Sequence, residues 1–136
     1  MASQVFSAPA SIEDQHYQNH ILQGVSRTFA LTIPQLPPAL FSVIGNAYLL
    51  CRIVDTVEDD NGLTSAQTRQ FAEMFIQVVS GQIPAETFAE GLFPLLTEHT
   101  IPAEHDLIKN TPAVIRITHS FNPVQRAALE RCVRIM

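Results

Sequence analysis

Apolar and polar residues follow a helical period along most of the chain, and prolines separate one such segment from the next. Ser11 and Asp14 have the spacing of a capping-box-like pair, which predicts a helix through about Leu22. A longer apolar run begins at the Pro-Pro pair 37–38 and ends at the Asn-Gly dipeptide 61–62, a typical helix stop. The first half of the chain is therefore predicted to hold two helices.

The second half of the chain is predicted to form shorter helices. A capping box at Thr64 and Gln67 begins one helix, and Gly81 ends it. A last helix begins at Asn122 and reaches the chain end without a stop signal, so we expect a front portion of a longer protein. Four prolines between these helices suit first-turn positions. They are Pro84, Pro94, Pro102 and Pro112.

The stretch between the first two predicted helices allows other structures. Residues 25–33 partly alternate and are rich in β-branched and aromatic side chains, which alone predicts a short strand. No charged residue occurs from Thr28 to Cys51, and this uncharged stretch is long enough to cross a bilayer. Because three prolines, Gln35 and Asn46 interrupt this stretch, a buried hairpin of core elements fits better. Peripheral membrane contact stays open.

Composition excludes several classes of protein. The chain has 136 residues with 46% apolar and only 15% charged, against about 25% charged in typical domains. So low a charged content argues against disorder, and a net charge of −5 without a basic stripe argues against nucleic-acid binding. Two cysteines make no disulfide framework, so we expect a reducing, cytoplasmic location. We expect one domain over 11–136, after a flexible N-terminus at 1–10.

One predicted helix combines apolar residues with a narrow polar face. At about 100° per residue, four polar side chains fall within roughly a 60° arc. We call this face the polar stripe. The opposite side is apolar and consists of Val43, Leu50, Ile53, Val54 and Val57. Because a surface helix would show a broader, mixed polar face, the pattern indicates an internal cavity. The polar stripe consists of Tyr48, Arg52, Asp55 and Asp59.

The carboxylates beside this face need a compensating charge. Asp55, Glu58 and Asp59 stand three and four residues apart near the helix end, where like charges and the helix dipole disfavour anions. Mg²⁺ takes oxygen ligands and, when held by one or two carboxylates, usually bridges to a phosphate. The alternative is a solvated acidic helix end before a turn. Tyr48 and Arg52 on the same face favour the metal site.

Two motifs at their mutual spacing resemble a known family. Val-Ser-Arg-Thr-Phe-Ala at 25–30 is followed by Tyr-x-x-x-Arg-x-x-Asp-Thr-Val-Glu-Asp-Asp at 48–60, with Gln-Leu-Pro-Pro-Ala-Leu at 35–40 between them. Together they resemble the N-terminal part of the squalene/phytoene synthase family of head-to-head prenyltransferases, closest to its squalene synthase branch. The resemblance implies an all-α bundle around a central cavity. It replaces the strand over 25–33 by the end of one helix and the start of the next.

The resemblance also implies roles for individual residues. It assigns Mg²⁺, with Mn²⁺ as an alternative, to Asp55, Glu58 and Asp59, and it makes Asp55, Asp59 and Tyr48 catalytic. The substrate diphosphate would contact two arginines, since a planar guanidinium suits a phosphate group. The residues implied for substrate binding are Arg27, Arg52, Ser26 and Phe29.

The same resemblance implies the substrate and partners. We expect two molecules of farnesyl diphosphate to be joined through presqualene diphosphate, and NADPH to reduce that intermediate where squalene is the product. The full-length protein is expected to be a monomer that binds no nucleic acid. Alternatives are a phytoene synthase, another prenyl-diphosphate enzyme, or a non-catalytic helical assembly protein.

The chain departs from the family pattern in one respect. Family members carry a second aspartate-rich motif, and the remaining acids here form none; Glu86 and Glu90 stand on a short, proline-bounded piece. We therefore expect these residues alone to be inactive.

Overall fold

The computed structural model describes residues 9–25 and 37–135, and its regular structure there is entirely helical. The predicted all-α fold is confirmed over these ranges. Within the segment first interpreted as a strand, Val25 ends a helix and 26–33 lie outside the described residues, as do 1–8 of the predicted flexible N-terminus. The elements are α1 (Ile12–Val25), α2 (Pro38–Asp59), α3 (Ser65–Val79), α4 (Ala85–Leu92), a 3₁₀ turn (Phe93–Leu95), α5 (Pro102–Lys109), α6 (Thr111–Ser120) and α7 (Pro123–Ile135).

Local capping contacts begin two of the helices where the sequence predicts them. The backbone N–H of Asp14 donates to Ser11 Oγ at 3.1 Å, and the Ser11 N–H donates to Asp14 Oδ2 at 3.0 Å. Thr64 and Gln67 make the same reciprocal pair at 2.9 and 3.1 Å before α3. Gly81 follows α3 with a φ of 84°, a left-handed conformation that favours glycine.

Helix α2 is the core helix of the fold. It packs against α1, α3, α5, α6 and α7, and most of its predicted apolar side is buried. Val43 is an exception, since it is only half-buried. The helix is long and apolar enough to cross a membrane by length and composition. The buried residues of the predicted apolar side are Leu50, Ile53, Val54 and Val57.

A buried polar network joins α2 to α1 and α6. Asn46 Nδ2 donates to Gln18 Oε1 on α1 at 2.9 Å and to the Val114 carbonyl on α6 at 3.0 Å. Asn46 Oδ1 accepts from Thr118 Oγ1 at 2.7 Å. Because unsatisfied buried polar groups are costly, this network fixes how the three helices meet.

Candidate active site on the second helix

The polar stripe runs along α2 from the interior towards the solvent. Tyr48, Arg52 and Asp55 are half-buried, and Asp59 at the end of the helix is exposed, as is Glu58 beside it. One helix thus presents an aromatic hydroxyl, a guanidinium and carboxylates along one face. The sequence predicts this shared face, and the internal cavity that it also indicates stays a prediction.

Arg52 makes an ion pair with Glu104 on α5. The two side chains are 27% and 14% exposed, so the pair is partly shielded from water. The contact uses Nη2, whereas Nε of Arg52 is buried and has no hydrogen-bond partner among the described residues. The guanidinium therefore has a spare donor. Sequence reasoning missed Glu104, because nothing in the local pattern links it to Arg52.

Cys51 lies on the other flank of the polar stripe, next to α7. Burial, the neighbouring Cys132 thiol and then the Asp55 carboxylate raise its pKa to about 11. A thiol with that pKa is neutral near pH 7 and a poor nucleophile. The half-buried Cys51 is thus a packing residue, as the sequence indicates.

The exposed end of the motif borders an open groove between α2 and α3. Its volume is about 610 Å³, and we call it the acidic groove. Both Glu58 and Asp59 line it, whereas the half-buried Asp55 one turn earlier does not. The lining of the groove therefore includes both carboxylates and the guanidinium of Arg69. Its lining residues are Glu58, Asp59, Asp60, Asn61, Leu63, Ser65, Thr68, Arg69 and Ala72.

Asp60 differs from the other acids of the motif because it is 3% exposed and fully hydrogen-bonded. Its carboxylate accepts from Thr100 Oγ1 at 2.6 Å, from the Thr97 N–H at 2.9 Å and from the Gly62 N–H at 2.8 Å. Burial alone would raise the pKa of Asp60, but these hydrogen bonds outweigh burial and lower it to about 2. Asp60 therefore anchors the 97–100 loop to the end of α2.

The donor set on α2 fits part of a Mg²⁺ site. Asp55 and Asp59 offer hard oxygen ligands one helical turn apart, and Mg²⁺ is commonly held by one or two carboxylates together with water and phosphate oxygens. Over residues 9–25 and 37–135, no group of three or more His, Cys, Asp or Glu side chains could by itself hold a metal ion. A phosphate ligand would have to complete such a site.

Three of the residues implied for substrate binding, Ser26, Arg27 and Phe29, lie outside the described residues. Their roles stay predictions. The structure places the four residues of the polar stripe on one face of α2 and pairs Arg52 with Glu104.

Comparison with known proteins gives a consistent result. The family model described as squalene/phytoene synthase matches residues 22–132. A squalene synthase of Solanum lycopersicum is 51% identical over 43 residues, which cover 32% of this chain and 10% of that protein. Squalene synthase BSS of Botryococcus braunii is 37% identical over 68 residues, which cover 50% of this chain and 15% of that protein. No solved structure matches the chain significantly.

Proposed function

Because this chain belongs to the squalene/phytoene synthase family, we propose that it forms part of a Mg²⁺-dependent enzyme that joins two prenyl diphosphates head to head. The observation that carries this proposal is the polar stripe on α2, where Arg52 has a spare buried donor and Asp55 and Asp59 offer oxygen ligands one turn apart. These groups complement the two parts of a metal diphosphate. The diphosphate oxygens accept hydrogen bonds from N–H donors, and Mg²⁺ binds carboxylate oxygens.

The chemistry follows from charge. A diphosphate leaves an allylic carbon when its negative charge is stabilised as the bond breaks. Arg52 would donate hydrogen bonds to the diphosphate oxygens, while Asp55 and Asp59, with Glu58, would hold the cation. Mg²⁺, when bound, would neutralise charge on those oxygens. Tyr48, higher on the polar stripe, would border the prenyl chain, where exclusion of water protects the carbocation.

The finer assignment rests on the relatives. Both named proteins are squalene synthases, so we propose farnesyl diphosphate as the substrate, presqualene diphosphate as the intermediate and squalene as the product, with NADPH as reductant. We further propose a cytoplasmic protein in peripheral contact with a membrane. A phytoene synthase is the alternative within the family.

Titration with inorganic diphosphate in the presence of Mg²⁺, followed by calorimetry, tests the proposal. Arg52→Ala and Asp59→Asn should each weaken binding more than about tenfold, since each removes a charged partner worth about 1.5–3 kcal/mol. Glu73→Gln is the matched control, because Glu73 is an exposed acid on α3 outside the acidic groove. Equal affinity in all four proteins would contradict the site. Absence of binding in every one would favour a non-catalytic helical interaction protein.

A further inference from the structure

We propose that Glu104 is a positioning residue, which holds the guanidinium of Arg52 so that its Nε–H edge is available to an anion. The identity of that anion as a substrate diphosphate rests on the proposed function. The structural part of the inference rests on the ion pair between α2 and α5 alone.

The guanidinium of Arg52 is only partly paired. Arginine offers five N–H donors in a planar fork, and Glu104 engages the Nη2 group while the buried Nε has no partner among the described residues. A buried donor without a partner is unfavourable, and an anion at that edge would satisfy it. Because the fork is planar, fixing one end of it also fixes the direction of Nε–H.

Glu104, rather than Arg52, is the side chain with the fixed position, because its helix is anchored to its neighbours. Glu104 stands in the first turn of α5, where the helix dipole favours a carboxylate. Helix α5 is itself anchored to α1, since Tyr17 Oη donates to Asp106 Oδ1 at 2.6 Å. His105 Nε2 lies 2.9 Å from the Thr97 carbonyl, which ties the helix to the preceding loop.

Helix α2 also holds the segment that carries Glu104. The same loop is bound at Thr97 and Thr100 by Asp60, which follows the last residue of α2. Helix α2 therefore contacts the 97–104 segment twice, through Asp60 at one end and Arg52 at the other. Apart from the Arg52 contact, the segment and its helix are held by Asp60 at Thr97 and Thr100 and by Tyr17 at Asp106. Glu104 therefore has a fixed place and positions the longer and more flexible Arg52 side chain.

The decisive experiment is nuclear magnetic resonance of the Arg52 Nε–H group, assigned by its loss in Arg52→Lys. We expect a resolved signal that exchanges slowly with water in the wild type. It should merge with the averaged arginine signal in Glu104→Ala and persist, with faster exchange, in Glu104→Gln, whose amide oxygen still accepts a hydrogen bond. Glu98→Gln, an exposed acid on the neighbouring loop, is the matched control and should leave the signal unchanged.

Titration with Mg²⁺ and inorganic diphosphate is the second readout. Glu104→Ala should weaken binding about tenfold, Glu104→Gln should weaken it less, and Glu104→Ala should add nothing further in an Arg52→Ala background. Should Glu104→Ala fail to fold, Glu104→Asp withdraws the carboxylate by one methylene and is expected to show the same losses.

Two results would overturn the inference. One is an Nε–H signal unchanged in the folded Glu104 variants. The other is tighter diphosphate binding in both Glu104→Ala and Glu104→Gln, which would make Glu104 a competitor for Arg52. If the signal depends on Glu104 but no protein binds diphosphate, the proposed function fails while the positioning of Arg52 stands.

Discussion

At the scale of single residues, two adjacent aspartates illustrate how one motif serves two purposes. Asp59 is exposed and lines the acidic groove, where its oxygens can accept a cation. Asp60 also borders that groove, but its carboxylate is committed to Thr97, Thr100 and Gly62. A side chain at position 62 would force a shift, since a Cβ on Gly62 would clash with Thr97 Cγ2.

Asp60→Asn should reduce the free energy of unfolding by about 2 kcal/mol at neutral pH. The pKa of Asp60 in the folded protein, about 2, is below its ordinary value of 3.8. Its charged form therefore stabilises the fold above about pH 4, and this stabilisation is lost as the pH falls towards about 2. Urea unfolding between about pH 7 and 3 should show a steeper loss of stability in the wild type than in the variant.

The neighbouring variant Asp59→Asn is the control for this measurement. Because Asp59 is exposed, its substitution should change the free energy of unfolding by less than about 0.5 kcal/mol at any of these pH values. Parallel pH profiles for the wild type and Asp60→Asn would show that Asp60 does not stabilise the fold through its charge.

At the scale of helices, what the sequence could predict depended on how far each signal reaches along the chain. The capping boxes at Ser11 and Thr64 act over three residues, so the sequence alone predicts them, and both are confirmed. The polar stripe needs only the helical period, so α2 and its face could also be predicted. The Arg52–Glu104 pair depends on how α2 packs against α5, and a single sequence does not specify that packing.

Asn46→Ala tests the network that joins three helices. The substitution leaves Gln18 Oε1 without its Asn46 donor, removes one of the two acceptors within reach of Thr118 Oγ1 and opens a small cavity. We expect a loss of about 2–4 kcal/mol in the free energy of unfolding, measured by urea denaturation. Gln70→Ala, an exposed amide on α3, is the matched control and should cost less than about 0.5 kcal/mol. Equal losses in the two variants would exclude a structural role for the network.

At the scale of the whole molecule, the chain offers one acidic motif of the type that the proposed reaction needs. The family match spans residues 22–132, whereas the aligned segments are 10% and 15% of the two squalene synthases. Mg²⁺, farnesyl diphosphate and NADPH are proposed from the resemblance and from the two relatives. The roles of Ser26, Arg27 and Phe29 likewise stay predictions.

Residues 1–136 produced as a separate polypeptide should show no turnover of farnesyl diphosphate above a metal-free control. The reason is that the resemblance implies a second acidic motif for catalysis, and none is present in these residues. Gas chromatography of the extracted products with added Mg²⁺ and NADPH provides the measurement. Formation of squalene, or of presqualene alcohol after dephosphorylation of the extract, would show that a single acidic motif is sufficient.

The long reach of the Asn46 network has a consequence during synthesis. Thr118, which donates to Asn46, lies 72 residues later in the chain. At about 5–20 residues per second, a ribosome needs roughly 4–15 s to add those residues. Throughout that interval α2, whose composition would suit a membrane span, lacks its partner from α6. For those seconds the burial of α2 depends on the helices already synthesised, among them α1 and α3, which pack against it.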